Sequence, residues 1–278
     1  MRAPMSAEVR RRAGGRNLYL VPYLLWMLLF VIIPIALIGY YSFRNVEGGF
    51  TLANYGKAFT SVYIKMAVNS FFYAFLITVC CLLAAYPTAY LITKSKHKQL
   101  LLLLIILPTW INLLLKAYAF LGIFGSAGPI NTFLEWTGLG ARQILFTDFS
   151  FIFVAVYIFI PFMILPIYNS LEELNPTLTD AARDLGASRW TTFRRVVLPL
   201  TMPGVKSGCQ AVFIPALSLF MITRLVTGNR VITLGTAIEQ HFLVTQDWGM
   251  GSTIAVFLVI VMVAIMFMTG ERNRRTGA

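Results

Sequence analysis

The sequence predicts an all-α membrane protein: six transmembrane helices, N- and C-termini cytoplasmic, and a cytoplasmic loop carrying two short helices between spans four and five. Three observations predict it. Of 278 residues, 58% are apolar and only 12% charged, against about 25% charged in soluble domains. Four stretches without Asp, Glu, Lys or Arg, residues 17–43, 66–93, 149–171 and 248–270, each exceed the roughly 20 residues that cross a hydrocarbon core. Two shorter ones, 99–115 and 207–223, continue apolar past one basic residue. Third, with both ends inside, 16 of the 23 Lys and Arg fall on one side, in the N-terminal tail, 94–98, 183–206 and the C-terminal tail. That is the positive-inside pattern.

The elements follow in order. Residues 1–17 form a cytoplasmic basic tail with Arg2, Arg10, Arg11, Arg12 and Arg16, which either lies on anionic headgroups or simply orients the chain. The first apolar run is too long for a cleaved signal peptide and has no small-residue cleavage site, so it is expected to stay as a helix. It contains Pro22 and Pro34. An outer loop, 44–65, leads to span two with Pro87. A tight turn at 94–98 leads to span three, which rises through Pro108. In the second outer loop, Pro129 at the start and Gly138 past the end bracket a short helix over 129–137. Span four contains Pro161 and Pro166, span five Pro215. The last outer loop, 227–249, holds Glu239 and Asp247, and a short cytoplasmic tail, 271–278, follows span six. Residues 18–270 thus read as a single transmembrane domain. Each proline within a span frees a carbonyl that a neighbour or water must satisfy, which suits helices around a cavity, although proline is also commoner in membrane helices generally.

Residues 172–203 are the informative loop. Asn175-Pro176 opens a helix, with a capping side chain and a proline fixed for the first turn. Leu178, Ala181, Ala182 and Leu185 share one face, and Asp180 and Arg183 are polar. Gly186 supplies the left-handed position that stops the helix. Ser188 caps a second helix over 189–197, which Pro199 is expected to end because the residue before proline avoids the helical region. Two short helices meeting at a glycine, presented by a membrane protein on one side, read as a docking element.

At these residues the chain resembles the permease subunits of ABC importers, whose loop reads Glu-Ala-Ala, three residues, Gly, then an apolar stretch ending in Leu-Pro. Here the positions are Asp180-Ala181-Ala182, Gly186, Phe193, Val197 and Leu198-Pro199. Asp180 replaces the usual glutamate and keeps its charge. The resemblance implies that Leu178, Asp180, Ala181, Ala182, Arg183, Leu185, Gly186, Phe193, Leu198 and Pro199 couple the chain to a separate ATPase. From Tyr19 to about Gly270 the chain also resembles the polyamine (spermidine/putrescine) permeases of the B type, most clearly over 107–118 and 160–172. That implies polyamine import, with a second permease subunit, an ATPase dimer and an extracytoplasmic solute-binding protein as partners, in a bacterial inner membrane. The alternative is an ABC permease for an amino acid, anion or metal ion.

The residues carry no reaction chemistry. No Gly-x-x-x-x-Gly-Lys-Ser/Thr run, Ser/His/Asp set or His-Glu-x-x-His exists, so the chain is expected to be no enzyme and to hold no cofactor, with ATP and Mg on the partner ATPase. His97 and His241 alone make no metal site, and no surface pairs aromatic with basic residues for nucleic acid. No Asp or Glu lies within a span, which opposes a proton-coupled carrier working alone. A polycation would then need aromatic faces, for which Trp110, Tyr118 and Tyr157 are candidates, though each also reads as a packing aromatic. Lys116, deep in an apolar run, is expected to snorkel to the outer interface. Arg224 stands where some members of the polyamine permease family have an acid.

Overall fold

The computed structural model describes residues 20–269, so the two predicted tails, 1–17 and 271–278, lie outside the described residues. Thirteen helical elements cover the described residues, among which there is no strand. They are α1 (Val21–Tyr41), α2 (Ala53–Ala58), α3 (Ser61–Lys94), α4 (Lys98–Trp110), α5 (Leu113–Phe124), α6 (Pro129–Trp136) and α7 (Asp148–Glu172). After them come α8 (Pro176–Asp184), α9 (189–200), α10 (Met202–Leu217), α11 (Met221–Thr227), α12 (234–244) and α13 (Trp248–Thr269). Five helical stretches are long and apolar enough to cross a bilayer, and the bent pair α10–α11 makes a sixth.

The core is the triple α3, α7 and α10. Apolar side chains gain nothing from leaving lipid for one another, so membrane helices associate through close backbone packing at small residues. Helix α3 presents Ile77, Cys81, Ala85 and Ala89 at four-residue spacing, all with no exposure. Helix α10 answers with Gly204 and Gly208: a Cβ on Gly204 would lie 2.5 Å from the Pro166 carbonyl oxygen of α7, and one on Gly208 2.8 Å from the Met163 sulfur. Helix α1 stands apart, with no buried residue. Its C-terminal end is tied down, where Thr253 of α13 donates to the Ser42 carbonyl at 3.1 Å.

Two expected spans are broken. Span three tightens at Pro108 into a 3₁₀ turn, Leu107–Trp110, and restarts at α5, where Asn112 caps the new helix by accepting from the Leu114 amide at 2.8 Å. A proline with an asparagine four residues later ends one helix and starts another. Span five stops at Leu217, two residues after Pro215, and turns 69° into α11.

Cross-links sort the ends. Lys98 at the start of α4 pairs with Glu172 at the end of α7 at 2.8 Å, which places the 94–98 turn beside the loop 172–203. At the opposite end Tyr73 donates to Asp148 at 3.0 Å, and the Phe146 amide bonds the Val226 carbonyl at 3.0 Å.

Candidate coupling site

The loop between α7 and α10 forms as its local chemistry dictates. Asn175 accepts from the Thr177 amide at 3.0 Å, capping α8, with Pro176 in the first turn. At the other end Gly186 has φ +81. Its amide bonds the Arg183 carbonyl at 2.8 Å, and the Ala187 amide bonds the Ala182 carbonyl at 3.0 Å. That pair of bonds is a Schellman stop. Ser188 then caps α9 by accepting from the Thr191 amide at 3.2 Å.

Helix α9 departs from expectation at Pro199. The helix does not end there but continues to Leu200. A π-helical turn, Phe193–Val197, precedes the proline, with the Leu198 amide bonding the Phe193 carbonyl. The wider turn relieves the clash between a proline ring and the carbonyl four residues back, so the chain keeps a helical course. Thr201 closes it, fully buried, with its hydroxyl on the Val197 carbonyl at 2.9 Å and within 2.9 Å of the Tyr86 hydroxyl.

The loop shows an anchored side and a free one. Phe193 packs edge-on against both Tyr86 and Tyr90 of α3, with ring centroids 5.7 and 5.9 Å apart. Val197 is buried and Leu198 half-buried. Facing away, Leu185 is 89% exposed and Leu178 47%. Ala181 and Pro199 are also exposed and Ala182 half-buried. Asp180 and Arg183 stand 3.7 Å apart on this surface. Trp190, 69% exposed and stacked on Phe193, extends the free apolar face. Sequence reasoning passed over Trp190. Its signal was available: a tryptophan inside the most charged loop of a membrane protein. Between loop and bundle lies a cavity of about 650 Å³, whose lining includes Tyr90, Lys94, Arg183, Arg189 and Phe193.

The four pathway candidates divide between two places. Trp110 and Tyr118 are exposed. Lys116 faces the other way on α5 and is 8% exposed, so it does not snorkel along lipid but lies inside the protein, on the same buried face as Phe120. Tyr157 packs edge-on to Phe120 at 5.0 Å.

Residues 81–275 match the family described as binding-protein-dependent transport system inner membrane component. The chain belongs to this family. Among relatives, the spermidine/putrescine transport system permease protein PotB of Haemophilus influenzae is 36% identical over 259 residues, covering 90% of this chain and 91% of that one. PotB of Escherichia coli K12 is 37% identical, over 90% and 94%. The molybdenum transport system permease protein ModB of Mycobacterium bovis is more distant, 27% identical over 70% and 74%. In fold, the chain matches a solved bacterial ABC transporter that imports alginate, with TM-score 0.78 at 18% identity, over 98% and 99% of the two chains. As a family member the chain is a multi-pass membrane component of a transport system.

Proposed function

We propose that the chain is a polyamine-translocating permease subunit of an ATP-driven importer, paired with a second permease, an ATPase dimer and an extracytoplasmic solute-binding protein. The observation that carries the ATPase coupling is the loop surface: Leu178, Ala181, Leu185 and Trp190 form an exposed apolar face, rimmed by Asp180 and Arg183, on helices braced against the bundle. Family membership supports the binding-protein dependence, and the names of the PotB relatives support spermidine and putrescine as cargo. The loop faces the cytoplasm and both termini lie on that side, a reading that the cation distribution supports. ATP and Mg are held by the ATPase, and this chain holds no cofactor.

The mechanism is mechanical. Small residues at 181 and 182 let the α8 backbone approach a groove in the ATPase, with Leu178 and Leu185 as flanking contacts. One nine-residue helix is short of the roughly 800 Å² per partner of a standard interface, and Trp190 on α9 extends the contact. When nucleotide closes the ATPase pair, the docked helices move as a rigid body, and the bundle changes access. The test is a complex reconstituted with its partners in vesicles. Spermidine-loaded binding protein stimulates ATP hydrolysis and drives uptake, and a cysteine at Leu185 cross-links to the ATPase.

A second reading, import of an anion, draws on the buried Lys116 and on the absence of carboxylates from the spans. A panel of polyamines, amino acids and oxyanions separates the two by which loaded binding protein stimulates hydrolysis.

A further inference from the structure

The broken fifth span carries an ion pair that the coupling mechanism does not use. Arg224 on α11 and Glu239 midway along α12 meet at 2.8 Å, across the turn that joins the two short helices after the 69° bend. The pair is lopsided: the arginine side chain is 58% exposed and the glutamate 12%. Resting on the polyamine reading above, we infer that Glu239 is the carboxylate that receives an ammonium group of the substrate, and that Arg224 is the tethered cation that occupies it between cargoes.

Three observations lead there. The carboxylate is held by a rigid mount. At the start of α12 the Thr233 hydroxyl donates to the Leu219 carbonyl at 3.1 Å, Thr236 lies 3.0 Å from Thr223, and the Leu234 amide donates to Ser70 of α3 at 2.8 Å. Gly235 lets this helix press directly on the Ser218 carbonyl at the break. Glu239 also lies inside a continuous helix, where α12 passes into the π turn Gln240–Val244, with its side chain only 12% exposed, so its charge needs a counter-cation in every state. The present cation, finally, is replaceable. It reaches in from a different helix on a long side chain, and an ion pair with one exposed partner is weak. An arriving ammonium satisfies the same carboxylate and releases Arg224 to water.

The geometry also answers how a polycation is received by a chain with no acid in its apolar runs. Interrupted helices in transport proteins mark places where backbone and side chains line a cavity rather than lipid. Two other outer carboxylates are engaged within the chain, Asp148 accepting from Tyr73 and Asp247 capping the Met250 amide at 2.9 Å, while Glu47 and Glu135 are exposed in the outer loops.

The experiment uses the complete complex in vesicles, reading spermidine imported per ATP hydrolysed at saturating loaded binding protein. The wild type comes first: no polyamine uptake would remove the cargo reading and this inference with it. Given uptake, Glu239→Gln is expected to lower the ratio about tenfold, the scale of one lost charge-assisted contact, and Arg224→Gln to lower it much less. The charge-swapped double variant, Arg224→Glu with Glu239→Arg, remakes the bond but puts a cation at the receiving position. It is expected to co-purify with its partners and to stay defective. Equal losses in the two single variants, or recovery in the swap, would make the pair a strut and overturn the inference while leaving the polyamine reading intact.

Discussion

At Gly186 the constraint is conformational rather than spatial. A Cβ there would meet nothing within 4 Å, yet φ is +81. A side-chain-bearing residue in that region costs about 1–2 kcal/mol, and asparagine is the best tolerated. Gly186→Asn is therefore expected to keep most ATP-driven uptake. Gly186→Val, β-branched, frays the end of α8 and lowers uptake several-fold without abolishing expression. Equal uptake by the two variants would show that the left-handed position is unimportant. His241 makes a second residue-scale prediction. Its Nε2 lies 2.8 Å from the Tyr63 hydroxyl; burial holds its pKa below the ordinary 6.5, and Asp247 pulls it weakly back up. Above pH 6.5 the imidazole is neutral in folded and unfolded chains alike. As pH falls from there toward the lowered folded value, the unfolded chain takes up the proton first, so stability declines. The unfolding temperature of the purified complex is expected to drop over that window, and His241→Asn to flatten part of the drop. An unchanged slope in the variant would exclude His241 as the source.

At the level of elements, the GxxxG stripe of α10 makes the sharpest demand on packing. Gly204 faces a backbone carbonyl, which cannot yield, whereas Gly208 faces first the flexible end of Met163. Overpacking costs about 1–3 kcal/mol, so Gly204→Ala is expected to lower the unfolding temperature more than Gly208→Ala. The reverse order would mean that α7 and α10 are not held in this register. The stripe was legible as two glycines four apart, whereas the helix that each one faces is set by the packing of the bundle and not by the local sequence. Elements governed by neighbouring residues were legible in full: the Asn175 and Ser188 caps, the Gly186 stop and the short helix after Gly128 need only their own side chains. Elements governed by distant contacts were not. Pro199 reads as a terminator, because nothing local announces the π turn that accommodates it. Lys116 reads as a snorkelling cation, because its burial depends on which face of α5 the rest of the bundle covers. The breaks at Pro108 and Pro215 were visible as prolines, while the 69° bend was not, since it is fixed by hydroxyls on α12 and Ser70 of α3 far along the chain.

For the whole molecule the question is how force applied at one end reaches the other. The loop touches the bundle chiefly through Phe193 between Tyr86 and Tyr90, and through Thr201 beside the Tyr86 hydroxyl. Both contacts end on α3, the 34-residue helix whose far end carries Ser70 and Tyr63, the partners of the α12 amide and of His241. On the proposed coupling, a displacement of α8 and α9 would pass along one continuous helix to the region of the broken span, and docking and transmission would fall to different residues. Leu185 is 89% exposed on this chain, and on the proposed docking Leu185→Ser is expected to reduce co-purification of the ATPase with the permease. Phe193 faces α3 instead. Phe193→Ala removes a half-buried ring, at a cost below the ~3–5 kcal/mol of a fully buried one, and is expected to leave the ATPase bound while uptake per ATP falls. Co-purification and coupled uptake measured on the same two preparations decide the matter. If Phe193→Ala lost the ATPase as Leu185→Ser does, or if both kept full coupling, the loop would be a mere attachment and the force would have to travel by another route.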